Sequence, residues 1–153
     1  MRTHTQTRRP GPERFLGTEL AHEIQFLLAR TSARGSARAN AMLKPLKLKV
    51  RQYSALSIAA SGLRPTQREM AFFLQLDPSQ VVPILDQLED RGLINRETDP
   101  NDRRSRLIVA TEAGMDLYRR AHETTLASED ITLDTLTPRE REQLRTLLMK
   151  IVI

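Results

Sequence analysis

Arg103, Arg104 and Arg106 crowd together in this 153-residue chain, with Asp102 beside them. Guanidinium groups at that density offer forked, charge-assisted hydrogen bonds, and phosphate matches the geometry of the fork. An arginine in a narrow minor groove gains further from the enhanced negative potential there. Asp102 opposes such contact unless it orients an arginine side chain through a bidentate pair. Alone, a run such as RRSR reads as a solvated loop; the residues upstream raise its standing. Ser79 and Gln80 can donate or accept at base edges, and Val82 and Pro83 offer apolar surface for thymine methyls. Ser79, Val82, Pro83 and Asp86 share one side at helical spacing. Residues 78–83 carry no charge, whereas Asp86, Glu89 and Asp90 crowd the second half. A polyanion therefore meets the N-terminal end, where open N–H groups can also hold a phosphate. Arg51, Arg64 and Arg68 are further candidates for phosphate contact.

Other chemistries find little support. His4, His22 and His122 are scattered, without metal-ligand spacing, and there is no cysteine. No Gly-rich phosphate loop and no nucleophile beside a base can be found. The expectation is a protein that is not an enzyme and takes no cofactor or metal. Hydrophobic content of 39% with only 4% aromatics and no Trp suits a Leu- and Ala-rich helical chain. A formal charge of +5 favours a polyanionic partner without naming one. No apolar run reaches the length of a membrane span, and the first residues lack a signal-peptide core, so a cytoplasmic location is expected.

These side chains need a scaffold, and the capping pattern supplies one. Asp77, Pro78 and Gln80 form the start of a helix whose Val81, Ile84, Leu85 and Leu88 share a face, and Gly92 ends it. Residues 93–98 and 106–111 then read as the strands of a hairpin with residues 99–105 as its loop. Upstream, Thr66 and Glu69 make another capping box, with Met70, Ala71, Phe73 and Leu74 as the apolar face of a short helix. Two helices meeting across a tight turn, followed by a charged hairpin, make a winged helix-turn-helix whose second helix can enter a major groove. The fold class is mainly α with a small β wing. Residues 1–15 read as a disordered basic arm, and 16–45 as an N-terminal dimerisation region that Gly35 and Ser36 kink or split. Residues 50–111 read as the DNA-binding domain, and 112–153 as C-terminal dimerisation helices. In the last helix Leu144, Leu147, Leu148, Ile151 and Val152 form an apolar stripe that needs a partner. A second copy meets that need and suits a symmetric double-stranded DNA site. A winged-helix module for protein or RNA, without operator specificity, is the alternative.

The stretch TQREMAFFLQLDPSQVVPILDQLEDRGLINRETDPNDRRSRLIVATEAG resembles the multiple antibiotic resistance regulator (MarR) family, most specifically in DPNDRRSRLIVATEAG and in the RGL of Arg91, Gly92 and Leu93. The resemblance runs from about residue 16 to the C-terminus. It implies a homodimeric bacterial transcription regulator, usually a repressor relieved by a small ligand. Asp102 and Arg104 match the family's wing Asp-x-Arg, with Arg103 as a second DNA candidate. It further implies that the helices carrying His22 and Tyr53 border a ligand pocket. Gln25, Phe26 and Leu56 would add lining suited to an aromatic or carboxylate-bearing molecule. Four positions depart from the pattern. Gln75 stands where the turn usually has Gly, so a positive φ there would cost about 1 kcal/mol. Phe72 replaces a residue that is commonly polar. Pro83 removes a hydrogen bond to the Ser79 carbonyl and predicts a local bend. Ala110 replaces the common Leu before Thr111.

Overall fold

The structure, a computed structural model, describes residues 11–152. The chain divides into two compact units, residues 1–34 and residues 35–153. In the first, short 3-10 turns at Pro12–Gly17 and Glu19–His22 precede helix α1, Ile24–Leu43, which continues into the second unit. Helix was expected from about residue 16. Instead Thr18 is extended, with its hydroxyl donating to the Phe15 carbonyl at 2.8 Å, a local bond that competes with helix propagation. Residues 1–10 of the expected arm lie outside the described residues, and its remainder runs into the first 3-10 turn. Gly35 and Ser36 do not split α1, which is one helix throughout.

In the second unit, α2 (Val50–Ala59), α3 (Gln67–Phe73) and α4 (Pro78–Asp90) lead into strands β1 (Ile94–Thr98) and β2 (Arg106–Ala110). Helices α5 (Glu112–Thr132) and α6 (Pro138–Val152) follow. The core is where their apolar faces converge: Leu43, Leu56, Met70, Val81, Leu85, Leu88, Ile94 and Ile108 are fully enclosed. Among the described residues α6 buries no side chain, and Leu147, Met149, Ile151 and Val152 stand exposed. No helix is long and apolar enough to cross a membrane.

Backbone geometry explains each connection near the hairpin. Gln75 has φ +52°; its N–H donates to the Phe72 carbonyl and that of Leu76 to the Ala71 carbonyl. That is a Schellman stop built on glutamine rather than glycine. The Gln75 side chain reinforces it, its Nε2 donating to the same Phe72 carbonyl at 3.0 Å. Gly92, at φ +67°, ends α4 in the same way. Phe73, expected on the buried face of α3, is exposed along with Phe72; Met70 and Ala71 are buried and Leu74 is half-buried. Helix α4 stays continuous through Pro83.

The hairpin is antiparallel, pairing Ile94 with Ala110 and Thr98 with Arg106. A short third edge, which no sequence pattern foretold, completes the sheet: Ile108 N–H donates to the Pro65 carbonyl at 2.8 Å and Thr66 bridges Leu107. At the other end the Thr111 hydroxyl donates to the Gly92 carbonyl at 2.7 Å, and its N–H donates to the Leu93 carbonyl at 3.0 Å. Gly114 lies so close that an added Cβ would sit 1.9 Å from the Leu93 oxygen.

Candidate nucleic-acid interface

The exposed start of α4 is a cap with its hydrogen bonds already in use. Asp77 Oδ1 accepts from the Ser79 N–H at 2.8 Å, and Gln80 Oε1 accepts from the Asp77 N–H at 3.2 Å. The Gln80 N–H is also spent, on the Asp77 carbonyl at 2.8 Å. Hydrogen bonding by Ser79, side chain first and backbone second, holds the Asp77 carboxyl below the ordinary carboxylate range. An anion expected at this helix end would thus meet a carboxylate and N–H groups already engaged. Gln80 keeps its Nε2 as a free donor; Val82 and Pro83 are exposed beside it.

The tip of the hairpin is rigidified by its aspartates. Asp99 Oδ1 accepts from the Asn101 N–H at 2.8 Å, an Asx turn. Asp102 Oδ1 accepts from the Arg104 N–H at 3.0 Å and Oδ2 from the Ser105 hydroxyl at 2.8 Å. These bonds, the Arg104 backbone first and Ser105 second, also depress the Asp102 pKa. Asp102 was expected to orient an arginine side chain through a bidentate pair. It shapes the backbone instead, which leaves both neighbouring guanidinium groups free.

The arginines sort into free and engaged. Among the described residues, Arg51, Arg68, Arg103 and Arg104 are exposed and make no side-chain ion pair. Arg106 is tied to the hydroxyl of its cross-strand partner Thr98. Arg64 pairs with Glu97 at 2.5 Å, both side chains nearly half exposed, so its charge is partly answered. Arg96, which was not among the residues expected from sequence, bridges Asp86 and Glu89 of α4 from β1. Those carboxylates are therefore not the bare repulsive patch that composition suggested. The signal for Arg96 was present: β1 follows α4 directly, and a basic residue there faces carboxylates spaced i, i+3.

The residues expected around a ligand belong to different units. His22 ends a 3-10 turn, and Gln25 and Phe26 lie in the first turn of α1, all in the first unit. In the second unit Leu56 is wholly enclosed in the core. The Tyr53 hydroxyl lies 2.9 Å from His122 Nδ1, and Tyr118 stacks against both rings. Neither Tyr118 nor His122 was singled out as ligand-facing.

Comparison with known proteins agrees with this architecture. The MarR family description matches residues 48–105. A MarR-family transcriptional regulator from Rhodococcus sp. RHA1 superposes with a TM-score of 0.81 at 35% identity, over 88% of this chain and 96% of that one. This chain belongs to the MarR family. Another solved structure, CouR from Rhodococcus jostii RHA1 bound to p-coumaroyl-CoA, is 37% identical with a TM-score of 0.77, covering 88% of this chain and 94% of its own. The organic hydroperoxide resistance transcriptional regulator of Bacillus subtilis is 32% identical over 67% of this chain and 70% of its own length. Such matches to sequence relatives span 60% to 70% of those proteins. In MarR terms α3 and α4 are the helix-turn-helix, and β1 and β2 the wing. This is a transcription-regulator family, and these relatives are named as regulators rather than enzymes.

Proposed function

We propose that this MarR-family chain binds an inverted-repeat operator as a homodimer and represses transcription until a small ligand releases it. The observation that carries the proposal is the pairing of an exposed, uncharged stretch of α4, residues 79–83, with a cationic wing tip shaped by its own hydrogen bonds. Ser79, Gln80, Val82 and Pro83 stand exposed on α4, and Arg103 and Arg104 stand unpaired on a loop shaped by Asp102. The helix end suits base edges, and the wing suits a narrow minor groove. Arg51 and Arg68 add phosphate contacts; Arg64 and Arg106 do so only by leaving their present partners. Dimerisation accounts for the exposed Leu147, Ile151 and Val152 of α6.

Ligand response is proposed because CouR was solved with p-coumaroyl-CoA bound. The hydroperoxide in the Bacillus relative's name does not carry over to thiol chemistry, since this chain holds no cysteine. A small aromatic or carboxylate-bearing molecule is the expected class, with Tyr53 the residue of the second unit expected to face it. Leu56, enclosed in the core of the same unit, would take part only after repacking. Fluorescence anisotropy of wild-type protein on a selected duplex and on random duplex tests the DNA reading. Specific binding should exceed non-specific by about a thousandfold or more. Equal affinity for the two duplexes, or preference for RNA, would favour the interaction-module alternative.

A further inference from the structure

We infer that Arg96 is a positioning residue that locks the recognition helix to the wing, so that both arms meet DNA in one fixed relation. The inference rests on the operator binding proposed above. Arg96 lies on β1 with its side chain only 21% exposed. One end of its guanidinium meets Asp86 at 2.5 Å, and the other meets Glu89. Asp86 belongs to the side of α4 that carries Ser79, Val82 and Pro83, whereas Glu89 lies one turn further toward the hairpin. A planar fork held at two points on one helix fixes rotation about the helix axis, which a single contact leaves loose.

Among the described residues, the other side-chain tie from the exposed surface of α4 to another element is a single amide contact, Gln52 Nε2 donating to Gln87 Oε1 at 2.8 Å, which reaches α2 rather than the wing. The Schellman stop at Gly92 and the Thr111 bonds hold the helix only at its C-terminal end. Val81, Leu85 and Leu88 hold its inner face through packing that is not directional. The same strand leads straight into the loop bearing Arg103 and Arg104. Rotation of α4 would shift Gln80 relative to those arginines, and the Arg96 fork resists that rotation. Because its charge is spent on carboxylates, Arg96 adds little to phosphate attraction itself.

The test uses the full-length protein as wild type, Arg96→Gln and Arg96→Lys, on selected and random duplexes across a salt series. Lysine keeps the charge but not the fork. Both variants should lose roughly tenfold in preference for the selected duplex, within the range of measured pairwise couplings, while the salt slope stays at the wild-type value. Amide exchange, read without DNA, should quicken in both variants at residues 79–83 and at the wing tip. Equal loss on both duplexes with a slope smaller by about 1.8, one phosphate for each subunit, would assign Arg96 to a phosphate and overturn the inference. A lower melting temperature with unchanged discrimination would overturn it too, leaving only a stabilising role. If wild-type protein shows no preference between duplexes, the operator reading fails by itself. The exchange arm then still decides, and unchanged exchange at both ends overturns the tether.

Discussion

Gln80 shows how a single residue can be both cap and reader. Its Oε1 closes the capping box with the Asp77 N–H, so only Nε2 is available outward. Bidentate recognition of adenine needs both amide groups. The capped geometry thus favours one donated bond, to an acceptor such as guanine O6 or N7. Gln80→Ala should reduce discrimination at one base pair by about 1 kcal/mol, the lower end of the range for base contacts. It should also cost some helix stability, and competition binding against single-substituted duplexes would separate the two. Arg104 acts by another route. Arg104→Ala should weaken binding to every duplex and reduce the salt slope by about 1.8, as each of the two subunits releases one fewer counterion. If both variants lose affinity equally on all sequences, α4 does not read bases.

At the scale of elements, the close approach at Gly114 ties the end of α4 to the start of α5. Gly114→Ala forces a methyl group onto the Leu93 carbonyl and should destabilise the fold by roughly 1–3 kcal/mol, measured by urea unfolding. The helix caps share a pH signature. Glu69 and Glu140 each accept from the backbone and hydroxyl of their capping threonine, and both carboxyl groups are shifted down, as is Asp77 by Ser79. A depressed pKa means that the unfolded chain binds protons more readily, so stability is present above the ordinary carboxylate value, about 4, and is lost as pH falls through the lower folded values. Thermal unfolding should therefore fall in temperature below about pH 4. The fall should be shallower in Glu140→Gln, whose starting stability is lower. These elements were largely legible in the sequence because caps are local: Thr66, Asp77 and Gly92 announce themselves by spacing. The third sheet edge at Pro65 was not legible, since backbone pairing leaves no side-chain pattern. Nor was the exposure of Phe73, because a seven-residue helix has too few turns to define its inner face. The wing's cationic role was visible, but the tasks of Asp102 and Arg96 depended on which backbone and which carboxylates the fold brings near.

For the whole molecule, the exposed apolar side chains of α6 call for a partner surface. Deleting residues 144–153 should abolish dimerisation and specific binding together, as read by light scattering and anisotropy; a truncated protein that stays dimeric with full affinity would contradict the assembly proposed. Control by a ligand requires that the ligand prefer a dimer whose recognition helices are wrongly spaced. Small aromatic acids should then release DNA in a titration, and Tyr53→Ala should blunt that effect, whereas a low dose of peroxide should do nothing. Most direct of all is selection of binding sites from random duplex DNA by the full-length protein. The account predicts an enriched inverted repeat whose half-site centres lie about 10 base pairs, one helical turn, or a multiple apart. Recovery of a single unrepeated half-site, or of no enriched sequence, would contradict it.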